Sequence, residues 1–153
     1  MEDRTAGLDS RARFTATVEN YRRYRPDYPD TLVRWCLGLV AGSSPRVVDL
    51  GCGTGLSSRA FARLGARVVG VEPNEAMVAA ARADTPAELD VRYVHGEAAA
   101  TGLEAGCADL VVAGQAFHWF DLDAALPEIA RLLRPGGRCV AFWNLRLGTP
   151  LLS

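Results

Sequence analysis

The run Asp49-Leu50-Gly51-Cys52-Gly53-Thr54-Gly55 holds the densest set of residues able to meet a small ligand. Glycines permit a tight turn and let a ligand approach the backbone. A helix starting directly after such a turn favours an anionic group at its N-terminus. Spacing then separates the ligands. A dinucleotide fingerprint reads Gly-x-Gly-x-x-Gly; here position 56 is Leu56, and the third glycine comes one place early, at Gly55. Asp49, two residues before the first glycine, suits a ligand with a positive group better than a pyrophosphate, because a carboxylate accepts hydrogen bonds from a cation or a hydroxyl. Glu72, ending the next apolar run, can hold both hydroxyls of a ribose in a bidentate arrangement. Met77 can lie against a purine face, and Glu97 can accept from an exocyclic amine. Set against these readings, a lone charge at a strand end is most simply a solvated one, and a lone methionine most simply a core residue.

A ligand that combines a ribose, an adenine, an amino acid end and a cationic sulfur is S-adenosylmethionine, and the spacing favours it. Composition removes several other chemistries. All 17 basic residues are Arg, so a catalytic lysine and a Gly-Lys-Ser/Thr phosphate loop are both excluded. Cys36, Cys52, Cys107 and Cys139 form no Cys-x-x-Cys pair, and His95 and His118 are the two histidines. A zinc ribbon or disulfide scaffold lacks its spacing, no metal is expected, and buried reduced thiols in a cytoplasmic protein are the plain reading. Net charge is −1 with no blocks of one sign, which argues against a nucleic-acid or membrane-surface partner. No apolar run approaches the ~18 residues of a membrane span, and the polar start Met1-Glu2-Asp3-Arg4-Thr5 is unlike a signal peptide.

These residues need a scaffold, and 153 residues suffice for one domain. Apolar runs at 46–50, 67–72, 91–95, 109–114 and 139–143 read as buried strands. Helical patterns lie between them. One spans 56–64, with Ser57 and Ser58 as capping candidates. Another follows Asn74, with Met77, Val78 and Ala81 facing inward. A third opens at Asp121 with the stripe Leu122, Ala125, Leu126, Ile129, Leu132 and Leu133, carries Pro127 as a kink, and stops at Arg134-Pro135-Gly136-Gly137. Asp30 can cap a further helix bearing Leu32, Val33, Trp35, Cys36, Leu39 and Val40. Strand-helix alternation predicts an α/β fold, an open doubly wound, mostly parallel sheet of five strands. Ligands of such sheets bind beyond the carboxyl ends of the strands.

At this point the chain resembles a known family. Asp49 to Gly55 with Gly70-Val71-Glu72-Pro73-Asn74 looks like the class I S-adenosylmethionine-dependent methyltransferases, with their Rossmann-like fold. Tyr24-Arg25-Pro26-Asp27-Tyr28-Pro29, Gln115-Ala116-Phe117-His118-Trp119-Phe120-Asp121 and Leu133-Arg134-Pro135-Gly136-Gly137 are similar to the type 11 branch, to which trans-aconitate methyltransferase belongs. The resemblance implies S-adenosylmethionine as cofactor and methyl transfer to a small-molecule acceptor by in-line displacement. It implies that Asp49, Gly51, Cys52 and Gly53 hold the amino acid end, that Glu72 and Pro73 lie at the ribose, and Met77 and Glu97 at the adenine. Gln115 and Ala116 would pass the methionine portion. His118 and Trp119 would line the acceptor side, with His118 as the one evident base. Residues 1–29 would form a lid closing over the cofactor through Tyr21 and Arg25, ahead of a cofactor domain at 30–145 and an irregular tail at 146–153. Arg22, Arg23 or Arg25 would suit a carboxylate acceptor, which needs no base.

The family continues beyond the fifth strand with a helix and an antiparallel pair that the tail does not resemble. A chain truncated there is expected to carry strand five as an edge, with apolar surface suited to a homodimer. The alternative to an active enzyme is a truncated homologue that binds the cofactor with little or no catalysis. A nicotinamide-dependent oxidoreductase is disfavoured by the glycine spacing.

Overall fold

Five apolar runs pair into one sheet in the order β3-β2-β1-β4-β5, every neighbouring pair parallel. The strands are β1 (Arg46–Leu50), β2 (Arg67–Glu72), β3 (Val91–His95), β4 (Ala108–Gly114) and β5 (Leu133–Phe142). The helices are α1 (Asp30–Leu37), α2 (Leu56–Arg63), α3 (Glu75–Asp84) and α4 (Leu122–Leu132), with a 3-10 turn at Phe117–Trp119. The computed structural model describes residues 18–19 and 27–145. Tyr21 and Arg25, with most of the expected lid and the tail, lie outside the described residues.

Register sorts side chains to two faces with period two. Val47 and Asp49 share a face with Val68 and Gly70, with Tyr93, and with Leu110 and Val112. On that face α1 and α2 supply Val33, Cys36, Ala60, Phe61 and Ala62, and α3 packs Val78 and Ala81 on Tyr93. On the other face Val48, Leu50, Val71 and Val111 meet Ile129 and Leu132 of α4. β4 is buried along its whole length, which is why its sequence shows no polar alternation. Each fully buried aliphatic side chain here contributes roughly 1.5–3 kcal/mol. The chain moves from β1 outward to β3, then crosses back to β4 on the other side of β1. Order reverses between β1 and β4, and a crevice opens beyond their carboxyl ends.

Several local expectations are corrected. Ser57 and Ser58 do not cap α2. Its N-cap is Gly55 in the left-handed region, without a side-chain cap, and both hydroxyls turn inward to Asp49. A buried carboxylate leaves donors no cheaper use. Asp30 is the first helical residue of α1, behind the N-cap Pro29, where its charge favours the helix N-terminus. Asn74 caps α3 as expected, accepting from the backbones of Ala76 and Met77 at 3.0 and 3.1 Å. Pro127 lies inside α4 without ending it. Leu122 and Leu126 stay exposed, as only Ala125, Ile129 and Leu132 of the predicted stripe on α4 meet the sheet. All four cysteines are free, but Cys107, just before β4, is half-buried, and Cys139 is exposed because β5 is an outer strand. That strand starts at Leu133, and Arg134-Pro135-Gly136-Gly137 forms an irregularity within it. Asp109 fixes this detour. It accepts from the Arg134 side chain and, at 2.7 Å, from the Arg46 backbone.

Candidate functional site

The crevice is a cleft of about 430 Å³, within the roughly 300–1,000 Å³ of small-molecule sites. It draws on every strand end from β1 to β4. Gly51 and Gly53 come from the turn after β1, Glu72 and Pro73 from the end of β2, and Met77 from α3. Glu97, Ala98 and Ala99 follow β3, and Gln115 and Ala116 follow β4. Eight residues that the sequence reading assigned to the cofactor are therefore brought together: Gly51, Gly53, Glu72, Pro73, Met77, Glu97, Gln115 and Ala116.

Two others are placed elsewhere. Asp49 is fully buried and lies beneath the turn rather than in the cleft wall. Its Oδ2 accepts from Ser57 Oγ at 2.5 Å and Ser58 Oγ at 2.7 Å. The carboxylate thus ties the end of β1 to the start of α2 and sets the shape of the loop between them. Cys52 packs with Val78, Ala81 and Tyr93. Burial pushes its thiol up, with the charges of Asp49 and Glu72 adding to the effect, so it is a protonated core side chain.

The turn needs its glycines for distinct reasons. Gly51 has φ +67°, and a Cβ there would sit 2.7 Å from Ala116 Cβ. Gly55 has φ +87°, and a Cβ would run into the Tyr93 hydroxyl and the Arg59 guanidinium. Arg59, itself buried, donates to the Thr54 carbonyl at 2.7 Å. The early third glycine is therefore a packing requirement of β3 and α2 beneath the loop.

Glu72 carries the electrostatics of the cleft. It is 9% exposed, and its Oε2 is buried without a hydrogen-bond partner. Burial pushes its carboxyl up to about 7. A hydrogen bond from the Asn74 backbone pulls against this, the charge of Asp49 adds to it, and His95 opposes it. A buried acceptor without a donor costs free energy that a ligand hydroxyl would recover.

Gln115 adopts φ +56°, the one non-glycine residue in the left-handed region among the described residues. Such strain persists where surroundings over-determine it. Its backbone N–H donates to Phe142 O at 2.8 Å and its side chain to the Tyr28 hydroxyl at 3.4 Å. Tyr28 packs edge-on to Phe142 with ring centroids 4.9 Å apart. The segment entering α1 is thereby pinned across the ends of β4 and β5, beside the cleft.

His118 and Trp119 sit at the rim. Trp119 lines the cleft and is 80% exposed. His118 is exposed, is not part of the cleft wall, and accepts from Trp143 Nε1 at 3.1 Å through Nδ1. Sequence reasoning missed Ala98, Ala99, Phe120, Asp121 and Ala125 as lining residues. Asp121 had a signal, since a carboxylate before an apolar stripe reads as an N-cap. In the fold it is the N-cap position of α4 yet makes no capping bond, and its side chain borders the cleft instead. Ala98 and Ala99 carried no signal, because only the path of the β3–β4 crossover brings them there, and Ala125 read as part of the α4 stripe that meets the sheet.

A parallel sheet reversing between β1 and β4, a glycine turn at the reversal and a buried acid ending β2 define a Rossmann-like nucleoside-binding α/β domain. Comparison with known proteins narrows this: residues 48–141 match the methyltransferase domain family, and the chain belongs to it. It is 38% identical over 133 residues to an uncharacterized methyltransferase of Mycobacterium tuberculosis, covering 87% of this chain and 52% of that protein. A solved structure of an S-adenosylmethionine-dependent methyltransferase from Mesorhizobium loti is 29% identical with TM-score 0.61, covering 71% of this chain and 51% of that one. The solved structure of the PH0226 protein from Pyrococcus horikoshii shares the fold at 24% identity and TM-score 0.64, covering 85% of this chain and 57% of that one. The chain spans about half the length of the curated relatives it matches.

The cofactor of this family is S-adenosylmethionine, and the residues present fit it. The unpartnered Glu72 Oε2 matches a ribose hydroxyl donor. Met77, Ala98 and Ala99 offer apolar wall for an adenine, beside the Glu97 carboxylate. Among the described residues no group of three or more metal-ligating side chains occurs, and no helix is long and apolar enough to cross a membrane.

Proposed function

We propose that the chain binds S-adenosylmethionine in the cleft and directs methyl transfer to a small-molecule acceptor approaching from the Trp119 side. The observation that carries the reading is the buried, partnerless Glu72 Oε2 in a cleft that the glycine turn shares with the apolar wall of Met77, Ala98 and Ala99. When bound, the cofactor supplies a methyl group on a cationic sulfur, a leaving group already activated. The protein's work is then orientation and exclusion of water. Glu72 fixes the ribose, the Asp49–Ser57–Ser58 group holds the loop's shape, and Gln115 and Ala116 pass beside the reacting end. The formal charge of −1 supports a small acceptor over a nucleic acid. The four free cysteines suit a reducing compartment, and a cytoplasmic location is part of the proposal.

Calorimetric titration with S-adenosylhomocysteine, beside Glu72→Ala, tests the binding half. Micromolar affinity that the variant loses is expected; no binding by the folded chain overturns it. Transfer of labelled methyl to a panel of small acids, phenols and amines tests the second half. Binding without turnover on any of them would leave a cofactor-binding protein in place of an enzyme.

A further inference from the structure

Trp143 directly follows β5, and His118 lies in the 3-10 turn after β4. The indole Nε1–H donates to His118 Nδ1 at 3.1 Å, with the two rings 6.4 Å apart. The His118 ring is also 4.9 Å from that of Trp119, which borders the cleft. An indole nitrogen only donates. His118 Nδ1 must therefore present its lone pair to Trp143, and the neutral ring carries its proton on Nε2. The one nitrogen able to take a proton from an acceptor is engaged. What remains to meet a ligand is an N–H. Nε2 makes no hydrogen bond among the described residues.

We infer that Trp143 is a positioning residue that holds His118 as the Nε2–H tautomer, so that His118 serves as a hydrogen-bond donor to an acceptor oxyanion and not as a base. This rests on the methyl-transfer reading for its acceptor. A donor without a base selects acceptors that arrive already ionised. At neutral pH a carboxylate does so, whereas a phenol or an ammonium must first lose a proton. The exposed faces of Trp119 and Trp143, 80% and 46% exposed, give the apolar body of such an acid a surface beside the donor.

The tautomer is read in the free protein, independently of cofactor and turnover. Long-range ¹H–¹⁵N spectra of the histidine-labelled full chain, with His95→Gln to separate the second ring, are expected to show protonated Nε2 and bare Nδ1 for His118. Trp143→Phe keeps the ring and removes the N–H; it should turn His118 into a tautomer mixture with the fold unchanged. A proton on Nδ1, or no response to Trp143→Phe, overturns the device. With S-adenosylhomocysteine present, small aliphatic and aromatic carboxylates should shift the His118 Nε2 resonance and the matching phenols should not. No shift with any carboxylate overturns the acceptor assignment. In turnover, His118→Ala should raise the acceptor KM about ten- to a hundredfold. His118→Gln should recover most of that loss, since its amide keeps an N–H and has no basic nitrogen. Equal loss of kcat in both variants is the signature of a base and would also overturn the inference. Failure of the methyl-transfer reading would show instead as absent cofactor binding with the tautomer intact.

Discussion

Glu128 accepts two hydrogen bonds at Oε2 from Thr101, 27 residues away in sequence: the backbone N–H at 2.8 Å and the hydroxyl at 2.9 Å. Arg131 donates to Oε1 at 2.5 Å and to the Leu103 carbonyl at 2.7 Å. These bonds fasten the irregular β3–β4 crossover, which carries Glu97, Ala98 and Ala99, onto α4. A crossover without a helix of its own needs such anchors.

Removing the anchor should be costly. Glu128→Ala leaves Arg131 and the Thr101 N–H without their partner, and is expected to lower the unfolding free energy by about 3 kcal/mol. The Arg131 hydrogen bond, against the cost of burial, pulls the Glu128 carboxyl down to about 2 from an ordinary 4.5. Its stabilisation is thus present above about 4.5 and fades as pH falls toward 2. Urea unfolding of native chain and Glu128→Gln should show a gap at pH 7 that narrows at pH 3. A constant gap would mean that the carboxylate's charge contributes nothing.

Glu72 has the opposite sign. Its carboxyl titrates near 7 in the fold against an ordinary 4.5, so the native state holds a proton that the unfolded chain releases. Stability of the free protein should fall by about 3 kcal/mol as pH rises from below 4.5 to above 7. Glu72→Gln should abolish that loss. Ligand binding should run the other way, because ribose hydroxyls donate best to the ionised form. Affinity for S-adenosylhomocysteine is expected to rise about tenfold from pH 6 to pH 8, with proton release seen as a buffer-dependent binding enthalpy. A flat profile would remove the carboxyl from the ribose.

Asp49 depends on two serines. Ser58 is fully buried, and Ser58→Ala takes one donor from a buried carboxylate, at about 1–2 kcal/mol. Ser57→Ala should cost about as much, and the double variant should depart from additivity because both act on one oxygen. Denaturant midpoints of the three variants test this. Additive losses would indicate independent sites.

Gly51→Ala places a methyl 2.7 Å from Ala116 Cβ at φ +67°. Left-handed strain and the clash together should destabilise by about 2–3 kcal/mol. They should also push Ala116 and Gln115 from the wall, so affinity for S-adenosylhomocysteine should fall by more than stability predicts at saturating folded protein. Native affinity in the folded variant would show that the contact is not part of the site.

By itself, the sequence determined the five strands, the glycine turn, the Asn74 cap and the acid ending β2. Each is local: apolar runs bounded by turn residues, or a side chain bonding backbone two or three residues away. The resemblance to methyltransferases rests on the same local motifs. Tertiary structure alone decided where long-range polar partners lie. Asp49 reads as a ligand-facing acid, yet two serines from the next helix claim it. Glu128 gave no signal in the sequence, yet it is buried and bonded to Thr101, 27 residues earlier. Ala98 and Ala99 become cleft wall only because that loop is held there. Trp143 meets His118 only because β5 lies beside β4, and which nitrogen of a histidine is free depends on that meeting. A buried polar group is matched to whatever donor the fold delivers, and periodicity along one chain segment holds no information about it.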